Sequence, residues 1–171
     1  SKTHLIYILK TMKKKILVAH PTGNANTRGA IEGFNKLGIL HSFHTCVACF
    51  EGSWLYKLAN ISPLREFRRR MFDKSLQNIT YTYPFKEHET GRFCVDKVYQ
   101  NLDRKVARFV YKHHNEIEGV YLYEDCATEI VKAAKKHNLK YIYDLPIGYW
   151  RAMRRLLNEE REKNPGWAMT L

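Results

Sequence analysis

Between residues 95 and 110, apolar side chains return every three or four positions: Val95, Val98, Tyr99, Leu102, Val106, Phe109 and Val110. Asp103, Arg104, Lys105 and Arg108 fall between them. An apolar stripe of this length predicts an amphipathic helix, which is stable only when laid on an apolar surface. The chain supplies that surface as short β-branched and aromatic runs. Strands are predicted near 15–20 (KILVAH, stopped by Pro21), 40–47, 78–82 (stopped by Pro84), 119–123 and 140–144. Helical stretches separate them. One runs from the Pro21–Asn26 loop to about Leu37, closed by Gly38. Another follows Asp125, read as its cap, with Ala127, Ile130, Val131 and Ala134 as its stripe. A last helix spans about Gly148 to Lys163, and residues 50–72 read as loop and short helices with Ser62 and Pro63 opening one of them. Apolar strands alternating with helices predict βαβ units: an α/β, Rossmann-like, doubly wound parallel sheet with helices on both faces, in one domain.

Length and composition agree with that reading. The 171 residues suffice for one domain with its own core, and the 44 % apolar and 27 % charged content argues against disorder. The charge balance is less ordinary: 29 Lys and Arg against 17 Asp and Glu leave +12. Such a surplus points to an anionic partner, whether nucleic acid, an acidic membrane face or a phosphorylated ligand. No apolar run approaches the roughly 20 residues needed to span a bilayer. Met12 followed by three lysines sets residues 1–12 apart as a leader, with the domain at 13–171 and a cytoplasmic chain expected.

Metal chemistry finds little support. Cys46-x-x-Cys49 has knuckle spacing, but no second pair follows it, so these thiols read as small buried apolar groups beside a strand. His113-His114 and His41-x-x-His44 lack acid or cysteine partners at ligand spacing and read as solvated. No cofactor and no metal are expected.

In an open parallel sheet, ligands bind beyond the carboxyl ends of the strands. Three segments fall there. The first, His20 to Arg28, has a single loop glycine and neither dinucleotide nor P-loop spacing. Gly23, Asn24 and Asn26 still stand at a helix N-terminus, which favours an anion; a tight turn with local caps is the alternative. The second, Glu124-Asp125, offers a general base or a hydroxyl-binding acid; for Asp125, a helix cap is the alternative. The third, Asp144-Leu-Pro-Ile-Gly-Tyr149-Trp150, combines an acid with two aromatics suited to a polyhydroxylated ring; alternatively Tyr149, Met153 and Leu156 form the core stripe of the last helix.

Four stretches resemble a known family: KILVAHPTGNAN from Lys15, Tyr123-Glu-Asp-Cys-Ala, the run Tyr143 to Arg151 (YDLPIGYWR), and Trp167 to Leu171 (WAMTL). Together they look like bacterial glycosyltransferases of the family 4 type, whose GT-B architecture sets two Rossmann-like domains around a cleft. The resemblance covers roughly residues 13–171 and corresponds to the N-terminal domain. It implies that this domain binds a glycan or lipid-linked acceptor, and that an absent C-terminal domain holds most of a UDP- or GDP-linked sugar donor. It further implies a donor-phosphate loop at Gly23, Asn24 and Asn26, catalytic roles for Glu124 and Asp125, and acceptor contacts from His20, Arg28, Arg104, Asp144, Tyr149 and Trp150. Many relatives carry paired glycines in the first loop and a histidine near the fourth strand, where this chain has one glycine and Tyr123-Glu124-Asp125.

Residues 50–72 suggest a further contact. Arg65, Arg68, Arg69 and Arg70 crowd one short helix whose other side offers Leu64, Phe67 and Met71, and Trp54 lies just before it. This reads as a reversible contact with an anionic membrane surface, peripheral at the inner face, with docking of the apolar side on the sheet as the alternative. Two other readings of the chain stand beside the transferase. A basic α/β nucleic-acid-binding module accounts for the charge but lacks RNP, KH or helix-turn-helix patterns. A purely structural flavodoxin-like or receiver-like domain leaves the charge without a cause.

Overall fold

The structure, a computed structural model, describes residues 15–52, 70–84, 95–145 and 148–167. Along them run β1 (Lys15–Ala19), α1 (Ala25–Lys36), β2 (Leu40–Thr45), β3 (Cys49–Phe50), β4 (Met71–Phe72) and β5 (Thr80–Thr82). α2 (Val95–His113), β6 (Ile117–Tyr123), α3 (Thr128–Lys136), β7 (Lys140–Asp144) and α4 (Trp150–Lys163) follow. Five strands form one parallel sheet in the order β5-β2-β1-β6-β7. The α/β, doubly wound architecture expected from the sequence is therefore present.

β1 occupies the middle because Ile16, Leu17, Val18 and Ala19 have no exposed side, a pattern only a strand covered on both faces can satisfy. Its alternate residues feed two cores. Leu17 and Ala19 join Leu102, Val106 and Val110 of α2 and Ile130, Ala133 and Ala134 of α3. Ile16 and Val18 join Ile31 and Phe34 of α1, together with Phe72 and Leu76. The α2 stripe predicted from its periodicity is the one that is buried, apart from Val95 at the helix start, which is 45 % exposed. α1 ends at Lys36, and Gly38 takes the left-handed conformation (φ 69°) that lets the chain turn directly into β2.

Several expectations need correction. The stretch from Asn78 is not strand from its start: Lys74–Ile79 forms a 3₁₀ helix capped by Asp73, and pairing begins at Thr80. Within 50–72, Cys49–Phe50 and Met71–Phe72 pair as a small second sheet, so Met71 belongs to a strand where a helix was expected. Trp54, Arg65, Arg68 and Arg69, along with Leu64 and Phe67, lie outside the described residues, as do residues 1–12. β7 is not covered on both faces. Tyr141, Ile142 and Tyr143 are each at least 40 % exposed, and α4 buries no residue. Tyr149, Met153 and Leu156 are consequently not a core stripe.

Asp125 does not cap α3. It sits in a 3₁₀ turn over Glu124–Cys126, and the residue preceding α3, Ala127, offers no side-chain acceptor. The cap arrives from α2 instead. Asp103, 5 % exposed, accepts the backbone N–H groups of Glu129 (2.8 Å) and Ile130 (3.0 Å). One carboxylate thereby satisfies two orphan donors at a helix start and ties α2 to α3. Read from the sequence, Asp103 falls with the polar residues between the stripe positions; its spacing of four from Tyr99 and three from Val106 nevertheless carries it to the buried face. We expect Asp103→Ala to lower stability by about 2 kcal/mol in urea unfolding. Asp125→Ala should stay within about 0.5 kcal/mol of the parent. The opposite ranking would return the capping role to Asp125.

Candidate functional site

The connection through α1 places β2 on one side of β1, and the connection through α2 places β6 on the other. Chain direction reverses there, which opens a crevice beyond the carboxyl ends of β1 and β6, the usual ligand position in such sheets. His20 follows β1 at this point and Tyr123 ends β6, with their rings 4.1 Å apart. Asp144 ends β7 and accepts the Tyr121 hydroxyl at 2.7 Å. Glu124, half-buried, and Asp125, exposed, occupy the turn after β6. The Tyr143 hydroxyl reaches the Glu124 carbonyl at 3.4 Å.

His20 organises the first loop. Its Nδ1 accepts the backbone N–H groups of Thr22 (3.0 Å) and Gly23 (2.7 Å). Backbone amides only donate, so Nδ1 is unprotonated and the ring hydrogen resides on Nε2. Burial lowers the His20 pKa to about 4, against the opposing pull of the Asp144 carboxylate, so the ring is neutral at pH 7. The ring is 2 % exposed, and its Nε2 has no hydrogen-bond partner among the described residues. A buried orphan donor costs about 1–3 kcal/mol, which a ligand oxygen or a water would recover. His20 is thus a directed donor and not a base. Thr27 Oγ1, in the first turn of α1, is a second buried atom without a partner among the described residues.

The rest of the loop is braced from within. Thr45 Oγ1 donates to the Pro21 carbonyl at 3.0 Å, and Arg28 Nε donates to the Gly23 carbonyl at 3.1 Å. The Asn24 side chain caps α1 by accepting from Thr27 N at 2.9 Å. Gly23 has φ 69°, and a Cβ there would fall 2.5 Å from the Phe72 ring, so glycine is required for the turn and for the close approach. Its amide is already engaged by His20. Ala25 and Asn26, both exposed, are the first-turn residues whose amides have no partner among the described residues, so they present the positive end of α1.

The other expected residues divide. Arg28 braces the loop and lies 5.3 Å from the Phe72 ring centroid. Arg104 is exposed nine residues into α2, about 14 Å along the helix from its start, and is not brought to the crevice. Tyr149 and Trp150 open α4, where Arg151 and Arg154 lie over the Trp150 ring at 5.2 and 5.5 Å. Arg70 lines a small pocket on the α2 side of the sheet.

The histidines behave differently from the solvated groups expected. His44 is completely buried: its Nδ1 meets the Tyr83 hydroxyl and its Nε2 meets Ser42 Oγ, both at 2.9 Å. His41 and His113 do have an acid, Glu116, at 3.4 and 3.2 Å, delivered by the α2–β6 turn. A register irregularity carries Ile16 opposite Leu40 and Leu17 opposite Ser42, which puts Ser42 and His44 together on the α2 face. The bulge hid this from strand alternation. The cysteines are as expected: Cys46, Cys49 and Cys126 are free and buried. No group of three or more His, Cys, Asp or Glu placed to hold a metal ion occurs among the described residues. No helix among them is long and apolar enough to cross a membrane.

No protein-family model matches the chain, and no curated protein matches it. Among solved structures, it is similar to the C-terminal domain of a hydrogenase from Pyrococcus furiosus. Identity is 12 %, covering 77 % of this chain and 92 % of that one, with a TM-score of 0.44.

The two buried histidines make stability depend on pH. Burial, assisted by the charges of His41 and His113, lowers the His44 pKa to about 3. The unfolded chain takes up a proton near 6.5, whereas the folded one resists until about 4 at His20 and about 3 at His44. Stability is therefore full above about pH 6.5 and lost progressively as the pH falls toward 3. Unfolding midpoints measured from pH 7 to pH 4 should fall steadily, and His44→Gln should flatten the profile. An unchanged midpoint across this range would contradict the burial argument.

Proposed function

We propose that the chain is the N-terminal, acceptor-side half of a two-domain GT-B glycosyltransferase that moves a sugar from a nucleotide-sugar donor to a glycan or lipid-linked acceptor. The observation that carries this reading is the buried Nε2–H of His20, without a partner among the described residues, at the carboxyl end of β1 on the loop that leads into α1. It is suited to an oxygen of the acceptor or of the donor diphosphate, and the open amides of Ala25 and Asn26 are suited to the phosphate itself. Glu124 and Asp125 are the carboxylates nearest the end of β6. In the transfer, an acceptor hydroxyl bonds to the anomeric carbon and loses its proton to one of them. The anomeric C–O bond to the diphosphate breaks, and the nucleoside diphosphate departs with that electron pair. The helix N-terminus offsets the charge that develops there.

The exposed outer edge supports the assignment of halves. Tyr141, Ile142, Tyr143 and Leu145 stand open on β7 and just after it, and Trp150, Met153 and Leu156 of α4 are likewise uncovered. Large apolar side chains left open in this number suit a second domain. A second reading, nucleic-acid binding, draws on Trp150 flanked by Arg151 and Arg154, a platform on which a base can stack.

Calorimetry should find UDP and GDP binding this chain no tighter than about 1 mM, because base and ribose contacts belong to the other half. Low-micromolar affinity would contradict the division. In the two-domain enzyme, Glu124→Gln should lower kcat by at least about 100-fold with little change in Tm. Full activity of both Glu124→Gln and Asp125→Asn would remove the catalytic assignment. A salt-dependent, micromolar shift with generic RNA at about 150 mM salt would favour the second reading instead.

A further inference from the structure

On the α2 side of the sheet, behind the β1 loop, lies a pocket of about 230 Å³. Its walls are apolar: Pro21 from the loop, Val47 after β2, Pro84 after β5, and Val95 and Val98 from α2. Among the described residues its polar lining comes from Thr22, Cys46, Arg70 and Tyr99, so Arg70 supplies the charge and no carboxylate of theirs lines it. The volume is below the 300–1,000 Å³ common for sites holding a whole drug-sized molecule, so it accepts one ring or a short chain.

We propose that this pocket binds a small apolar group carrying a carboxylate, with Arg70 on the carboxylate and the Val47–Val98 wall on the apolar body. Guanidinium and carboxylate match as a planar, two-pronged pair, and partial removal from water strengthens that match. The neighbouring groups agree. Burial pushes the Cys46 thiol up to about 11, so it adds no competing negative charge at pH 7. Burial and then the Asp125 charge raise the Tyr99 phenol, which stays protonated and able to donate. Asp125 thus limits how far an anion extends toward β6 and favours seating it at the Arg70 end.

The pocket also touches the candidate site. Thr22 lines it, and the Thr22 amide is one of the two that hold His20 in its tautomer. A ligand resting on Thr22 therefore bears on the loop that holds His20 in its tautomer. Under the transferase reading, this pocket takes an acidic, apolar portion of the acceptor. The geometry of Arg70 and the valine wall does not require that reading.

The test uses the whole 171-residue chain with benzoate as probe, benzyl alcohol as its neutral counterpart and inorganic phosphate as a head group without a body. The readout is the methyl spectrum of Val47, Val95 and Val98. Benzoate should shift these methyls saturably, with an apparent Kd at least tenfold below that of benzyl alcohol, and phosphate should leave them in place. Arg70→Gln should abolish the preference for benzoate, and Val98→Phe should remove binding of both aromatic probes. Equal affinity for benzoate and benzyl alcohol overturns the proposal, as does benzoate binding that survives Arg70→Gln unchanged. Shifts produced by phosphate alone overturn the part played by the apolar body. These outcomes are independent of nucleotide affinity, so failure here and failure of the transferase assignment are told apart.

Discussion

Parallel pairing of β1 with both β2 and β6 is the constraint from which the rest of the molecule follows. A parallel neighbour cannot be reached by a tight turn, so each pairing requires a crossover, and the chain enters β2 and β6 through the helices α1 and α2. With β2 on one side and β6 on the other, all carboxyl ends face one way and the chain reverses direction beside β1. The crevice at His20 and Tyr123 is thus a consequence of strand order. Sheet pairing also sets the polarity of α1, whose amino end must return to that same edge.

Burial converts this topology into chemistry. A histidine in water exchanges its proton between two nitrogens, but at His20 two backbone amides occupy Nδ1 and leave a single hydrogen on Nε2. The same loop contacts that stiffen Pro21 to Gly23 make the direction of that donor definite. Asp103 works on the same principle elsewhere: a buried carboxylate is held by two amides, and the fold gains a cross-helix tie. In both places polar groups inside the core have specified geometry more than they have added surface contact.

The chain is uneven in how far it covers itself. At β1 and the neighbouring parts of β2 and β6, helices close both faces, and a wholly buried His44 is tolerated because Ser42 and Tyr83 satisfy both ring nitrogens. Toward β7 the covering thins, and large side chains of β7 and α4 remain open to solvent. This gradient is the physical basis for regarding the β7 and α4 edge as an interaction surface.

Local pattern was sufficient for the elements whose neighbours are generic. The stripe of α2, the fully apolar β1 and the glycine after α1 each announce their structure, because a helix, a central strand and a left-handed turn impose residue requirements within a few positions. The five-strand parallel sheet and the placement of His20, Glu124 and Asp144 at the carboxyl ends of its strands were legible for the same reason. What tertiary structure alone decided involves partners distant in sequence. Asp103 was chosen over Asp125 as the α3 cap because helix packing brings α2 beside that N-terminus. The Gly23 amide is engaged because His20 folds back over its own loop. His44 went to the interior because a register irregularity turned Ser42 and His44 toward α2. β7 stayed exposed although its residues are those of a buried strand, since burial depends on what packs against a strand as well as on its composition.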